Sequence, residues 1–180
     1  MPGPGSLREV HSAEEVRERI EQLAEELASD FGGSLPVFVA IAEGARYFTE
    51  RVVEALAKRG IRPEVQVVRA RRTHGTELRP VRVDPIAEAA LRGRDVLVLD
   101  DIADEGRTLE ALLPMVRAAK PSSLRVAVLV DKRVRRRVRL SLDYVGFEIP
   151  DGWVVGVGMD FDGKYRELDS LSILEPGREE

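Results

Sequence analysis

Carboxylates, a glycine and a hydroxyl are crowded into one short stretch of this chain, Asp100-Asp101-Ile102-Ala103-Asp104-Glu105-Gly106-Arg107-Thr108. The apolar run Val96-Leu97-Val98-Leu99 precedes it and reads as a buried parallel strand, while Leu109 to Ala119 follows with helical spacing. In an open α/β sheet, ligands bind beyond the carboxyl end of a strand and beside the start of a helix. The helix start offers unpaired N–H groups and the positive end of a dipole, which suit a phosphate. The carboxylates suit sugar hydroxyls, a hard cation or a proton. Phosphate, sugar and metal together point to a phosphorylated ribose. A solvated acidic loop after an ordinary strand is the bland alternative, and this stretch alone leaves both open.

The elements that must position such a loop are readable on either side. Ser12-Ala13-Glu14-Glu15 is a capping-box pattern, and Val16, Ile20, Leu23, Ala24 and Leu27 recur behind it at helical spacing until Gly32 and Gly33. Leu35 to Ile41 predicts a buried strand, with Pro36 near its start where it does least harm. A helix is predicted from about Ala45 to Lys58, ending at Gly60, and a strand over Val65 to Val68. A polar, Arg-rich stretch from Arg71 to Val83 and a short helical piece around Ile86 to Leu91 lead into the central strand. Beyond it, Lys120-Pro121 breaks the chain before a strand over Leu124 to Val130, with shorter apolar pieces at Leu142 to Ile149 and Trp153 to Val157. Strands alternating with helices imply an α/β fold with a mainly parallel sheet covered on both faces. The strand-rich last third predicts an added lobe or hood.

At 180 residues the chain fits one domain, expected over 11–174, with loose tails at 1–10 and 175–180. A net charge of −4 argues against generic affinity for nucleic acid or membranes. The chain has no Cys, which excludes a disulfide framework and thiolate chemistry and fits a reducing cytosol. No apolar stretch approaches membrane-spanning length, and Met1 to Ser6 lacks the apolar core of a signal peptide.

The central stretch resembles the diphosphoribosyl-binding motif of type I phosphoribosyltransferases. The region after it is more particular. Asp143-Tyr144-Val145-Gly146-Phe147-Glu148-Ile149-Pro150-Asp151 runs into Trp153-Val154-Val155-Gly156-Val157-Gly158-Met159-Asp160, and Lys164-Tyr165-Arg166-Glu167-Leu168 follows. This is similar to the purine-recognition end of the hypoxanthine–guanine phosphoribosyltransferase family, strongly over the last half of the chain and in outline over the first. The resemblance implies a type I phosphoribosyltransferase fold with a small hood, Mg²⁺ as cofactor, diphosphoribosyl pyrophosphate and an oxopurine as substrates, and a cytoplasmic homodimer or homotetramer. It also implies roles. Asp100 and Asp101 stand beside the ribose 2- and 3-hydroxyls, one of them often through Mg²⁺. Asp104 faces purine N7 as general base or hydrogen-bond partner. Glu105, Gly106, Arg107 and Thr108 cradle the 5-phosphate, chiefly through backbone N–H groups. Lys132 donates to the purine 6-oxo group, Trp153 stacks on the ring, and Val154 reads its edge through backbone groups. Asp160 holds a metal-bound water or contacts the base, and Arg166 pairs with pyrophosphate oxygens.

Plainer readings accompany several of these. A sole Trp is usually a core residue, and Asp160 and Arg166 also fit a surface ion pair. Lys132 also opens a basic run, Lys132 to Arg139, whose Arg–Val alternation reads most simply as a sheet edge with a solvated face, and otherwise as a phosphate-contacting patch. Three positions depart from the family pattern. Glu105 stands where a small or hydroxyl residue is usual. Ala42-Glu43-Gly44 falls at the pyrophosphate loop, where a Lys is frequent in place of Glu43. Arg72-Thr73-His74-Gly75 falls at the mobile catalytic loop, where Thr73 and His74 retain hydrogen-bonding capacity. The alternatives left open are transfer to another base such as xanthine, and a catalytically silent regulator of the same fold that senses the diphosphoribosyl ligand or binds nucleic acid.

Overall fold

The computed structural model describes residues 6–72 and 81–175. Its element order is β1 (Leu7–His11), α1 (Ala13–Asp30), β2 (Val37–Ala42), α2 (Ala45–Ala57), β3 (Glu64–Arg72), β4 (Val81–Val83), α3 (Glu88–Leu91), β5 (Asp95–Ala103), α4 (Arg107–Ala118), β6 (Ser123–Asp131), β7 (Tyr144–Glu148), β8 (Trp153–Val155) and β9 (Leu171–Leu174). A 3-10 turn occupies Arg133–Arg135. The large sheet has the order β4-β3-β2-β5-β6-β7. All its neighbours are parallel except β4, which pairs with β3 antiparallel.

The apolar runs of β2, β5 and β6 follow from burial on both faces. Side chains alternate across a strand, so Leu97 and Leu99 of β5 join one core with Phe38, the inner face of α1 and Phe48 of α2. Val96 and Val98 join the other, against Leu109, Leu112 and Val116 of α4. The capping box forms as the sequence predicts: Ser12 Oγ accepts from Glu15 N at 3.2 Å, and Glu15 Oε2 accepts from Ser12 N at 2.7 Å.

The predicted hood exists, and it is a second sheet of order β1-β9-β8. Within the tail expected over 1–10, residues 7–10 are strand, and residues 1–5 lie outside the described ones. Residues 7–11 pair antiparallel with β9, from Leu7 opposite Leu174 to His11 opposite Leu171. Glu175 continues the ladder, donating its N–H to the Ser6 carbonyl at 2.9 Å, and pairs with Arg8 at 2.8 Å. The basic run is corrected. It is a 3-10 turn followed by irregular chain, because its Arg side chains and N–H groups serve the loop after β5 instead of a strand ladder.

Strand order fixes where a ligand enters. From β2 the chain crosses to β3 on one side, and from β5 it crosses to β6 on the other. Their carboxyl ends therefore diverge, and the crevice between them is the switch point at which α/β sheets bind ligands.

Candidate active site

A cleft of about 510 Å³ opens at that switch point. Its walls are the loop after β2 (Glu43, Gly44), the end of β5 and the start of α4 (Asp100 to Leu109), Lys132 at the end of β6, and Trp153, Val154 and the Gly158-to-Arg166 segment of the hood. The structure thus gathers every expected site residue that lies among the described ones. Thr73 and His74 lie outside them.

The acidic pair sits at the floor. Asp100 is 6% exposed, and its Oδ1 accepts from Asp101 N at 3.1 Å; Asp101 Oδ1 accepts from Ile102 N at 2.9 Å. Burial is the main reason both carboxyls are raised above the usual carboxylate value, Asp100 strongly so with the added charge of Asp101 beside it. A carboxyl raised on folding binds protons that the unfolded chain releases. The ligand-free fold therefore loses stability as pH climbs from the usual carboxylate value through the raised one, at about 1.4 kcal/mol for each unit of difference. Asp100→Asn is expected to remove the larger part of that decline and to melt higher than the parent at neutral pH, measured as Tm between pH 4 and pH 8 without ligand. An unchanged pH profile would mean the pair carries no such penalty.

Gly44 is required here by space. A Cβ built on it would lie 2.0 Å from Asp101 Oδ2, although its φ of −59° suits any residue. Gly158 faces it from the hood, with φ of 94° and a built Cβ only 2.6 Å from the Gly44 carbonyl oxygen. Two glycines thus let the hood press on the β2 loop and the β2 loop press on the acidic pair.

The loop into α4 turns at Gly106, whose φ of 88° is left-handed and whose Cβ would strike Leu140, Val138 and Arg136. That turn leaves the first N–H groups of α4 facing the cleft, with Thr108 partly buried among them. Glu105 finds its place: its Oε2 accepts from Arg107 Nε at 2.9 Å, so the carboxylate is held by the next cation along. Asp104 Oδ1 lies 2.9 Å from Arg135 Nε.

On the wall of β6 and the hood, Lys132 is 5% exposed and donates its Nζ to the Gly152 carbonyl; burial pushes its pKa down. Trp153 is 56% exposed, so it is a surface platform and not the core residue that a sole Trp usually is. Its Nε1 donates to the Asp160 carbonyl at 3.0 Å, and Phe161 meets it edge-on, which fixes one side of the ring. Val154 is buried, leaving its backbone at the cleft. Arg166 pairs with Asp160 Oδ1 at 2.8 Å, and Asp160 Oδ2 accepts from Gly163 N at 2.7 Å. Both Asp160 oxygens are thereby occupied, and the residue orients Arg166, whose charge also bears on Asp101.

The donor set suits a hard divalent cation. Mg²⁺ is commonly held by one or two carboxylates and completed by substrate oxygens, which matches the Asp100–Asp101 pair, while Asp104, Glu105 and Asp160 on the same walls are engaged by Arg135, Arg107 and Arg166. Among the described residues no cluster of three or more metal-ligating side chains occurs. The three lining cations are already engaged, Arg107 by Glu105, Lys132 by a carbonyl and Arg166 by Asp160. Glu43, exposed at the rim, adds another negative charge. A polyanionic ligand accompanied by a divalent cation fits this cleft better than the bare anion does.

Comparison with known proteins agrees with this geometry. The family model described as the phosphoribosyl transferase domain matches residues 6–162. A hypoxanthine-guanine phosphoribosyltransferase of Mycobacterium avium is 31% identical over 180 residues, covering 96% of this chain and 88% of that protein. The bifunctional protein TilS/HprT of Listeria monocytogenes is 33% identical over 165 residues; the match spans 92% of this chain and 25% of that longer protein. The solved hypoxanthine phosphoribosyltransferase of Trypanosoma cruzi, in complex with its product IMP, superposes with a TM-score of 0.87 at 31% identity, over 98% of this chain and 97% of that one.

Proposed function

The chain belongs to the hypoxanthine–guanine phosphoribosyltransferase family, and on that premise we propose that it moves the 5-phosphoribosyl group of 5-phosphoribosyl-1-pyrophosphate onto N9 of hypoxanthine or guanine, releasing pyrophosphate and giving IMP or GMP. The observation that carries this reading is a single cleft in which the acidic pair, Asp104 and the α4 start face Lys132 and the Trp153 platform. A sugar phosphate and a flat base can lie there side by side.

In this mechanism the N–H groups of Gly106 to Leu109 hold the 5-phosphate, aided by the helix dipole and the Thr108 hydroxyl. Asp100 and Asp101 accept hydrogen bonds from the ribose 2- and 3-hydroxyls and would hold Mg²⁺. When bound, that ion supplies positive charge to the pyrophosphate oxygens as they leave. Trp153 stacks on the purine ring, the Val154 backbone meets its edge, and Lys132 donates to the 6-oxo group. The N9–C1 bond forms as the bond from C1 to pyrophosphate breaks, and Asp104 takes the proton released from N7. Positive charge on the ribose in the transition state is stabilised by the buried acids, and Arg166 meets the leaving group. The protein works in the cytoplasm as a homodimer or homotetramer.

The test is nucleotide formation from the diphosphoribosyl substrate with hypoxanthine, guanine, xanthine and adenine in turn, with and without Mg²⁺. Turnover is expected with the first two and only with the metal. No turnover with any base, where the phosphoribosyl substrate demonstrably binds, would leave a silent member of the fold. Lys132→Ala is expected to narrow the preference for hypoxanthine over adenine by about ten- to a hundredfold, the worth of one hydrogen bond from a charged donor. An unchanged ratio would mean that another group reads the 6-position.

A further inference from the structure

Asp104 does not stand alone behind the purine site. Arg135, on the 3-10 turn after β6, brings its Nε to 2.9 Å from Asp104 Oδ1. That oxygen is buried and, among the described residues, meets the geometry of no hydrogen bond, so the guanidinium holds it chiefly by charge. The same guanidinium reaches Asp151, with Nη1 3.5 Å from Oδ1. Asp151 Oδ1 in turn accepts from Gly152 N at 2.7 Å, and the Gly152 carbonyl accepts from Lys132 Nζ. Gly152 leads directly into Trp153. A continuous path of contacts therefore joins the proposed proton acceptor to the group that reads the 6-position and to the stacking platform.

The loop's backbone has supports of its own. Arg136 donates to the carbonyls of Ala103 and Asp104, each at 3.2 Å, and Arg137 N donates to the Glu105 carbonyl at 3.0 Å. Arg135 instead meets the Asp104 side chain, at its carboxylate, and it lies outside the residues that line the cleft.

We infer that Arg135 is a positioning residue for the transfer step. It pins one oxygen of Asp104 and so aims the other at purine N7, in register with the ring held by Lys132 and Trp153. The inference rests on Asp104 being the acceptor of the N7 proton. Arg135 adds little to fold stability, since a partly exposed ion pair is worth little, whereas misplacing a catalytic group by an ångström can cost about a hundredfold in rate.

Steady-state kinetics with hypoxanthine on Arg135→Ala, Arg135→Lys, Asp104→Asn and the Ala/Asn double variant test it. Arg135→Ala is expected to lower kcat by about 10- to 100-fold, with KM for both substrates and Tm near those of the parent. Lys restores the charge without the fork and should recover part of the rate. On the Asp104→Asn background, Arg135→Ala should cost nothing further, because both act through one carboxylate. A normal kcat in Arg135→Ala, or a full additional loss on the Asn background, would overturn the inference while Asp104 kept its role. A normal kcat in Asp104→Asn alone would instead remove Asp104 as proton acceptor.

Discussion

Replacing Asp104 by Asn is expected to cut kcat by about 10²- to 10⁴-fold, the usual worth of a positioned general base, and to leave affinity for the diphosphoribosyl substrate nearly untouched. Asn keeps the size of Asp and a carbonyl oxygen that can still accept a hydrogen bond. What it lacks is a charge and a lone pair basic enough to keep the N7 proton. In the proposed mechanism the groups that bind this substrate are elsewhere, at Gly106 to Thr108 and at the acidic floor, so the loss falls on kcat. Isothermal titration with the diphosphoribosyl substrate and single-turnover rates with hypoxanthine separate the two. A rate within a fewfold of the parent would mean the proton leaves N7 by another route.

Gly44→Ala is the second substitution with a large expected effect. The added methyl would sit 2.0 Å from Asp101 Oδ2, a separation that real carbon and oxygen atoms do not tolerate. The backbone at Gly44 is ordinary, so the collision is resolved by moving the carboxylate off its bond from Ile102 N. In the proposed mechanism Asp101 then no longer faces the ribose hydroxyls. Losing a charged hydrogen bond costs about 1.5–3 kcal/mol, or roughly ten- to a hundredfold in affinity. Affinity for the diphosphoribosyl substrate with Mg²⁺ is expected to fall by that factor while Tm drops little. A variant with parental affinity would show that Asp101 has room to yield, and that Gly44 is there for some other reason.

The parts of this molecule that were legible in the sequence are those where one physical demand dominates. β2, β5 and β6 announce themselves because both faces are buried, leaving uninterrupted apolar runs. α1 is marked by a cap whose two reciprocal bonds need Ser12 and Glu15 at that spacing. β1 was not legible. Leu-Arg-Glu-Val-His is half polar, and its partner β9 lies more than 150 residues away, so nothing local distinguishes it from a tail. β3 reads as Val65 to Val68 but extends to Arg72, because its outer residues pair with β4 near the sheet's edge, where Arg69 and Arg71 are exposed. The Arg-rich run after Lys132 mimics an edge strand for a similar reason. Alternation is the same whether the Arg side chains meet solvent or reach the carbonyls of Ala103 and Asp104.

The site divides along the same line. Asp100, Asp101, Asp104 and Gly106 share one short stretch, and their chemistry is readable from their types. Arg135 was not singled out, since its meaning depends on two acids at positions 104 and 151 that only the fold brings together. Gly158 is similar: two glycines flank Val157 in plain view, yet only the approach to Gly44 explains why one of them has no side chain. Glu105, without an evident task in the sequence, is explained by Arg107 two residues later.

The hood sheet has a consequence for how the protein is made. Its strands come from both extremes of the described chain, β1 near the start and β8 and β9 near the end. During synthesis the crossover units from β2 to β6 can dock as they emerge, each strand beside one already present, and the phosphate half of the cleft can take shape early. The Trp153 platform cannot, because β8 leans on β9 and β9 closes against β1, made more than 150 residues earlier. A nascent chain paused before Leu171 would hold a sugar-phosphate pocket with its purine half unassembled. Ribosome-bound chains arrested before and after residue 174 should differ in purine binding far more than in phosphate binding.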